Sequence, residues 1–141
     1  MIIVKSFKVD YAHRLLNHPG RCKNLHGHTG KIEVKIWGTV DSKSGMVADF
    51  GDIKEWIGPV IDKLDHAVVL NVADPLVSLL GTAEIDIVIV LGEPTAENLA
   101  EVLRLSTQRI LDEKAKDKPH GLRVQSIVFY ETDDNYAIAE S

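Results

Sequence analysis

Two stretches of alternating polarity constrain this chain more than anything else in it. Across residues 31–40, Ile32, Val34 and Ile36 alternate with Lys31, Glu33 and Lys35. Side chains that change face at every residue belong to an extended strand, so the pattern predicts one apolar and one charged face. Residues 2–13 repeat it less cleanly: Ile3, Phe7, Val9, Tyr11 and His13 share a parity that Lys5 interrupts. Two such strands in succession predict a hairpin, with His18-Pro19-Gly20 as a turn in the long connection between them.

The rest of the chain adds helices and further strands. Acidic residues around Asp49 and Asp52 suit a helix start, and a helix is predicted near 52–64, kinked or divided at Pro59. Thr95 is placed to cap a second helix over 96–114, with Ala96, Leu99, Ala100, Leu103 and Ile110 on one face. Its basic end, Lys114 to Lys118, stops before Pro119. Strands are predicted at 85–91 and 122–131, with a short edge at 136–139. Residues 72–84 carry the least pattern and read as an excursion loop. The order β-β-α-β-α-β predicts an α+β layer with the helices on one sheet face.

With 141 residues, 45% hydrophobic and 26% charged, the chain suits a single domain spanning 1–141. No stretch approaches eighteen uncharged apolar residues, and Lys5 follows the Met-Ile-Ile-Val start at once, so neither a membrane span nor a signal core is expected. Cys22 is the only cysteine, which rules out an intrachain disulfide and fits a cytoplasmic protein. The net charge of -5 argues against general nucleic-acid affinity. Yet residues 1–40 hold seven basic side chains against two acids, a local excess that suits a small, highly anionic substrate as well as a solvated strand face.

That basic segment also holds the candidate metal ligands. His26 and His28 stand two residues apart, which on a strand sends both imidazoles to one face, and antiparallel pairing brings His13 opposite them. Neutral nitrogen donors favour Zn²⁺ over Mg²⁺ or Ca²⁺, with Fe²⁺, Ni²⁺ and Co²⁺ chemically compatible. Spacing alone leaves two sites open: three ligands with a free catalytic position, or a closed structural site with Cys22 as the fourth ligand. Gly27 and Gly30 are positions at which a bulge would re-aim the imidazoles. Asp65 and His66 follow the first helix; they are not expected to form a simple dyad if both are helical, since helical neighbours do not face one another. Glu131, at a strand end, is suited to accept two N–H bonds from a planar amidine-like heterocycle. Thr95 and Glu97 read as helix capping and dipole pairing. His18 and His120, each beside a proline, read as loop residues.

Six separated motifs carry a resemblance. They are Asp10-Tyr11-Ala12-His13-Arg14-Leu15, Cys22 through His28, Gly45 through Asp52, Leu64-Asp65-His66, Pro94-Thr95-Ala96-Glu97-Asn98 and Tyr130-Glu131-Thr132. In these residues and this order the chain resembles the 6-pyruvoyltetrahydropterin and 6-carboxytetrahydropterin synthase family. The short C-x-x-x-H-G-H spacing is similar to the carboxytetrahydropterin branch of queuosine biosynthesis. The resemblance implies a tunnelling fold, an antiparallel four-stranded sheet with two helices on one face. It implies zinc on His13, His26 and His28, proton abstraction by Cys22 with help from Asp65 and His66, and pterin anchoring by Glu131, with Thr95 and Glu97 added to the substrate-binding set. It further implies a homohexamer, a dimer of trimers with interfacial active sites. The implied reaction converts 7,8-dihydroneopterin triphosphate to 6-carboxy-5,6,7,8-tetrahydropterin with loss of triphosphate and acetaldehyde. Three departures stand out: Gly30 where many relatives carry an aromatic residue, one extra residue in Leu64–Asn71, and an extended Val72–Glu93 segment.

Overall fold

The computed structural model describes residues 1–117 and 121–141; the expected helix end at Lys118 and Pro119 and the loop position of His120 lie outside the described residues. Strand β1 (Ile2–His13) pairs antiparallel with β2 (His26–Trp37) along twelve residues, from Ile2 against Trp37 to His13 against His26. The alternation that predicted these strands is the reason they are half-buried. Val9, Tyr11 and His13 of β1, with Ile32, Val34 and Ile36 of β2, turn one face into the core. β2 starts five residues before its expected beginning and ends at Trp37.

The sheet is larger than the expected four antiparallel strands. β3 (Val68–Asn71) and β4 (Ile87–Val90) join it as parallel strands beside β1, while β5 (Arg123–Tyr130) and β6 (Tyr136–Glu140) extend it antiparallel beyond β2. The result is a mixed six-stranded sheet in the order β4-β3-β1-β2-β5-β6. Sequence reading missed β3 because four residues, Val-Val-Leu-Asn, give too short a run for a period to emerge. The Leu76–Gly81 stretch inside the expected excursion loop folds as a short helix.

Among the described residues, three α-helices complete the fold: α1 (Phe50–Asp62), α2 (Leu76–Gly81) and α3 (Ala96–Lys114). α1 and α3 pack together over the apolar sheet face, where Ile53, Ile57, Ile61, Leu99, Leu103 and Leu111 meet the strand residues. Pro59 does not divide α1, which runs unbroken through it to Asp62. It lies on the exposed side, where water can satisfy the carbonyl that loses its helical partner. α3 has the predicted bounds, though its buried stripe runs through Thr107 and Leu111, with Ile110 half-buried beside it. Among the described residues, no helix is long and apolar enough to cross a membrane.

Candidate metal centre

The long hairpin determines the site. Its register puts His13 opposite His26 and Tyr11 opposite His28, so the three imidazoles leave the same sheet face at the end of one strand pair. No bulge interrupts β2 at Gly27 or Gly30; the irregularity of this strand lies between Lys35 and Ile36, against β5. The H-x-H parity therefore carries through to Ile32, Val34 and Ile36. Each histidine offers a ring nitrogen, and the three nitrogens lie within 4.8 Å of one another.

Backbone carbonyls orient two of the rings. His13 Nδ1 is 2.7 Å from the Pro94 carbonyl and His26 Nδ1 is 2.8 Å from the Asn24 carbonyl. A carbonyl only accepts, so each Nδ1 carries the proton and each Nε2 keeps a lone pair. Those two Nε2 atoms face one another at 3.2 Å, an unfavourable meeting of lone pairs unless a cation lies between them. Tetrahedral zinc with nitrogen ligands at 2.0–2.1 Å would hold them about 3.3 Å apart, so the donor set fits that ion. His28 Nε2 is buried without a hydrogen-bond partner among the described residues, as an additional ligand atom would be.

Burial disfavours the charged forms of His13 and His28. Burial is the main cause that pushes the His13 pKa down to about 4, opposed by the Pro94 hydrogen bond and reinforced by His26 and His28. His28 is also lowered, chiefly by burial, with Glu131 pulling the other way. Glu131 lies just beyond β5, with Oε1 3.8 Å from His13 Nε2. It shares a cleft of about 670 Å³ with Leu15, Thr95 and Glu97. Thr95 does cap α3, its hydroxyl accepting from the Asn98 N–H at 3.3 Å, so capping and cleft placement coincide.

Cys22 lies outside the three-imidazole cluster. It is half-buried in a single 3₁₀ turn, Arg21–Lys23, within the β1–β2 connection, and its carbonyl accepts from the Leu15 N–H at 2.8 Å. The closed four-ligand alternative therefore finds no support in this geometry, because the group that could hold a metal consists of the three histidines without Cys22.

Asp65 and His66 form the hydrogen-bonded dyad that a helical placement would have prevented. α1 ends at Asp62, His66 takes a left-handed φ of 59°, and His66 Nδ1 comes 2.7 Å from Asp65 Oδ2. The bond raises the His66 pKa and, after the Asp10 N–H bond, helps lower that of Asp65. Both residues grip Asp10 of β1: its N–H donates to Asp65 Oδ1, and its carbonyl accepts from the His66 N–H. Asp10 and Thr29 have the opposite parity from His13 and His28, yet the cleft that His66 lines with them also includes Tyr11 and His28. The structure thus brings His66 into a cleft with one candidate ligand, His28, and not into the cleft shared by Leu15, Thr95, Glu97 and Glu131.

Sequence reasoning missed Tyr11 as part of this site. Its ring stands edge-on to His13 at 5.3 Å and tilted against His28 at 5.7 Å, and its buried hydroxyl has no partner among the described residues. Burial foremost, then the Glu131 charge, raise its pKa. Gly30 gives this ring its space. A Cβ there would stand 3.4 Å from Tyr11 Cε1 and only 2.7 Å from the Tyr130 carbonyl oxygen.

A family model for 6-pyruvoyl tetrahydropterin synthase matches residues 2–141. The 6-carboxy-5,6,7,8-tetrahydropterin synthase of Haemophilus influenzae is 42% identical over 84 residues, a stretch spanning 57% of this chain and 60% of that protein. The protein of the same name from Rickettsia conorii is 33% identical over 103 residues, 71% of this chain and 75% of its own length. Among solved structures, Caenorhabditis elegans 6-pyruvoyl tetrahydropterin synthase has a TM-score of 0.74 at 22% identity, covering 100% of this chain and 95% of that one.

Proposed function

The chain belongs to the 6-pyruvoyl tetrahydropterin synthase family, and on that premise we propose that it is a zinc-dependent lyase. Its substrate is 7,8-dihydroneopterin triphosphate. With water, this yields 6-carboxy-5,6,7,8-tetrahydropterin, triphosphate and acetaldehyde, as in queuosine biosynthesis. The observation that carries the reading is the convergence of three imidazole nitrogens beside Glu131, with Cys22 outside that set. The carboxytetrahydropterin names of the curated relatives favour this product over the pyruvoyl one.

His13, His26 and His28 would hold the zinc. Bound there, it would supply Lewis-acid polarisation of the substrate's side-chain oxygens. Glu131 accepts paired N–H bonds from the pterin ring, and Thr95 and Glu97 flank that ring in the shared cleft. The Cys22 sulfur takes a proton from a side-chain carbon, and the Asp65–His66 dyad assists that transfer. Lys8 and Lys31 line a cleft of about 590 Å³ that also includes Glu131, and their charge suits the triphosphate. A cytoplasmic location and a homohexameric assembly belong to the same proposal.

The deciding experiment incubates the zinc-loaded protein with dihydroneopterin triphosphate and identifies the products by mass. Formation of the carboxylated pterin with acetaldehyde is the expected result. A product that retains the side-chain carbons would replace this reading with pyruvoyl formation, and absence of turnover would leave a noncatalytic pterin-binding or structural zinc module.

A further inference from the structure

The stretch from Val72 to Glu93 has no role in the chemistry above, yet two of its carboxylates reach the connection that carries Cys22. Asp74 is 3% exposed. Its oxygens take both arms of the Arg14 guanidinium at 2.6 and 2.7 Å, and Oδ1 also accepts the Leu76 N–H that opens α2. Paired, charge-assisted bonds of this kind fix orientation as well as distance. Arg14 is the residue directly after the candidate ligand His13.

Glu93 holds the same connection three residues further on. Its Oε1 accepts from the Asn17 side chain at 2.7 Å and the Asn17 N–H at 3.3 Å, with Asn71 Nδ2 also at 3.3 Å. Its Oε2 is buried without a partner among the described residues, a placement that costs stability. Between the two grips, the Leu15 N–H closes the loop onto the Cys22 carbonyl. The next residue after Glu93 is Pro94, whose carbonyl orients His13. One segment therefore sets both a metal ligand and the loop that bears the thiol.

We infer that Asp74 and Glu93 are positioning residues, a polar clamp that fixes the Cys22 connection relative to the three histidines. The catalytic part rests on the reading of Cys22 as proton acceptor. The geometric part does not. A reacting atom displaced by about an ångström can cost on the order of 100-fold in rate, so a clamp of this kind acts on turnover more than on binding.

The test uses the full zinc-loaded chain. Glu93→Ala is expected to lower kcat roughly 10- to 100-fold with KM changed less than about 3-fold. Zinc content should stay at the wild-type level, while amide exchange rises selectively in residues 14–25 and the rate of Cys22 alkylation by iodoacetamide shifts. Glu93→Gln, whose side-chain carbonyl retains an acceptor for Asn17, is expected to restore most of the kcat and the exchange protection. Asp74→Asn should reproduce the selective exchange change through Arg14. Wild-type exchange and alkylation in both Glu93→Ala and Asp74→Asn would overturn the clamp. So would a loss of zinc and of protection spread evenly over the chain, or equal damage from the Ala and Gln variants. If the wild-type protein itself fails to turn over dihydroneopterin triphosphate, the functional reading falls, and exchange and alkylation still decide the clamp.

Discussion

At the scale of single residues, Cys22 and His13 are tested separately, the thiol by turnover and the imidazole by stability. If Cys22 serves as proton acceptor, Cys22→Ala should lower turnover by about 10²–10⁴-fold, the range for losing a positioned acid or base. Zinc content by atomic absorption should remain that of the parent. A closed four-ligand site would instead lose zinc and unfold. His13 concerns the metal-free chain. Its pKa falls from 6.5 to about 4 on folding, mainly through burial. Between those values the unfolded chain binds the proton and the folded chain does not, so stability present above pH 6.5 is lost as pH falls toward about 4. Thermal melts in chelator should therefore show Tm declining across this window, and His13→Asn should flatten the decline. An identical slope in both proteins would count against the buried neutral imidazole.

At the scale of elements, the β2–β5 contact sets what Gly30 must be. An alanine Cβ would meet the Tyr130 carbonyl at 2.7 Å, a backbone atom that cannot rotate away, so the two strands must part. Gly30→Ala should cost about 1–3 kcal/mol in urea unfolding, as for other overpacked positions. Gly27→Ala, with 3.2 Å to the Tyr11 carbonyl, should cost less. A neutral Gly30→Ala would show that the strands yield easily there. The hairpin and the H-x-H face were legible because period-two alternation reports which side a residue takes, and α3 because its cap and apolar stripe agree. β3 was not legible, since a strand of four residues is identified by the partners it pairs with rather than by its own pattern. The Asp65–His66 dyad escaped for a related reason. It depends on where α1 stops and on a left-handed turn at His66, both set by the grip on Asp10 in a distant strand. Arg14 with Asp74 and Asn17 with Glu93 likewise meet only through tertiary contact, across sequence gaps that no local motif spans.

At the scale of the whole molecule, the placement of His66 in a different cleft from Leu15, the residue bonded to Cys22, bears on the proposed assembly. Within one chain, His66 is fixed to Asp10 and shares a cleft with Thr29 and His28, whereas Leu15, bonded to Cys22, lines a different cleft with Thr95 and Glu131. A dyad that assists Cys22 from that position does so most directly in another copy of the chain, which is what a homohexamer with interfacial active sites would provide. The arrangement makes a prediction that a self-contained monomer does not. Cys22→Ala and His66→Ala proteins should each be inactive or nearly so. When they are dissociated, mixed in equal amounts and reassembled, random pairing should place an intact Cys22 opposite an intact His66 in roughly a quarter of the sites. Activity should therefore return to about a quarter of the parent value, measured as acetaldehyde release per chain, with light scattering confirming that mixed oligomers have formed. Mixed oligomers that stay as inactive as the separate variants would place the dyad and the thiol in one chain's site. A His66→Ala protein that is fully active on its own would instead remove the dyad from the reaction.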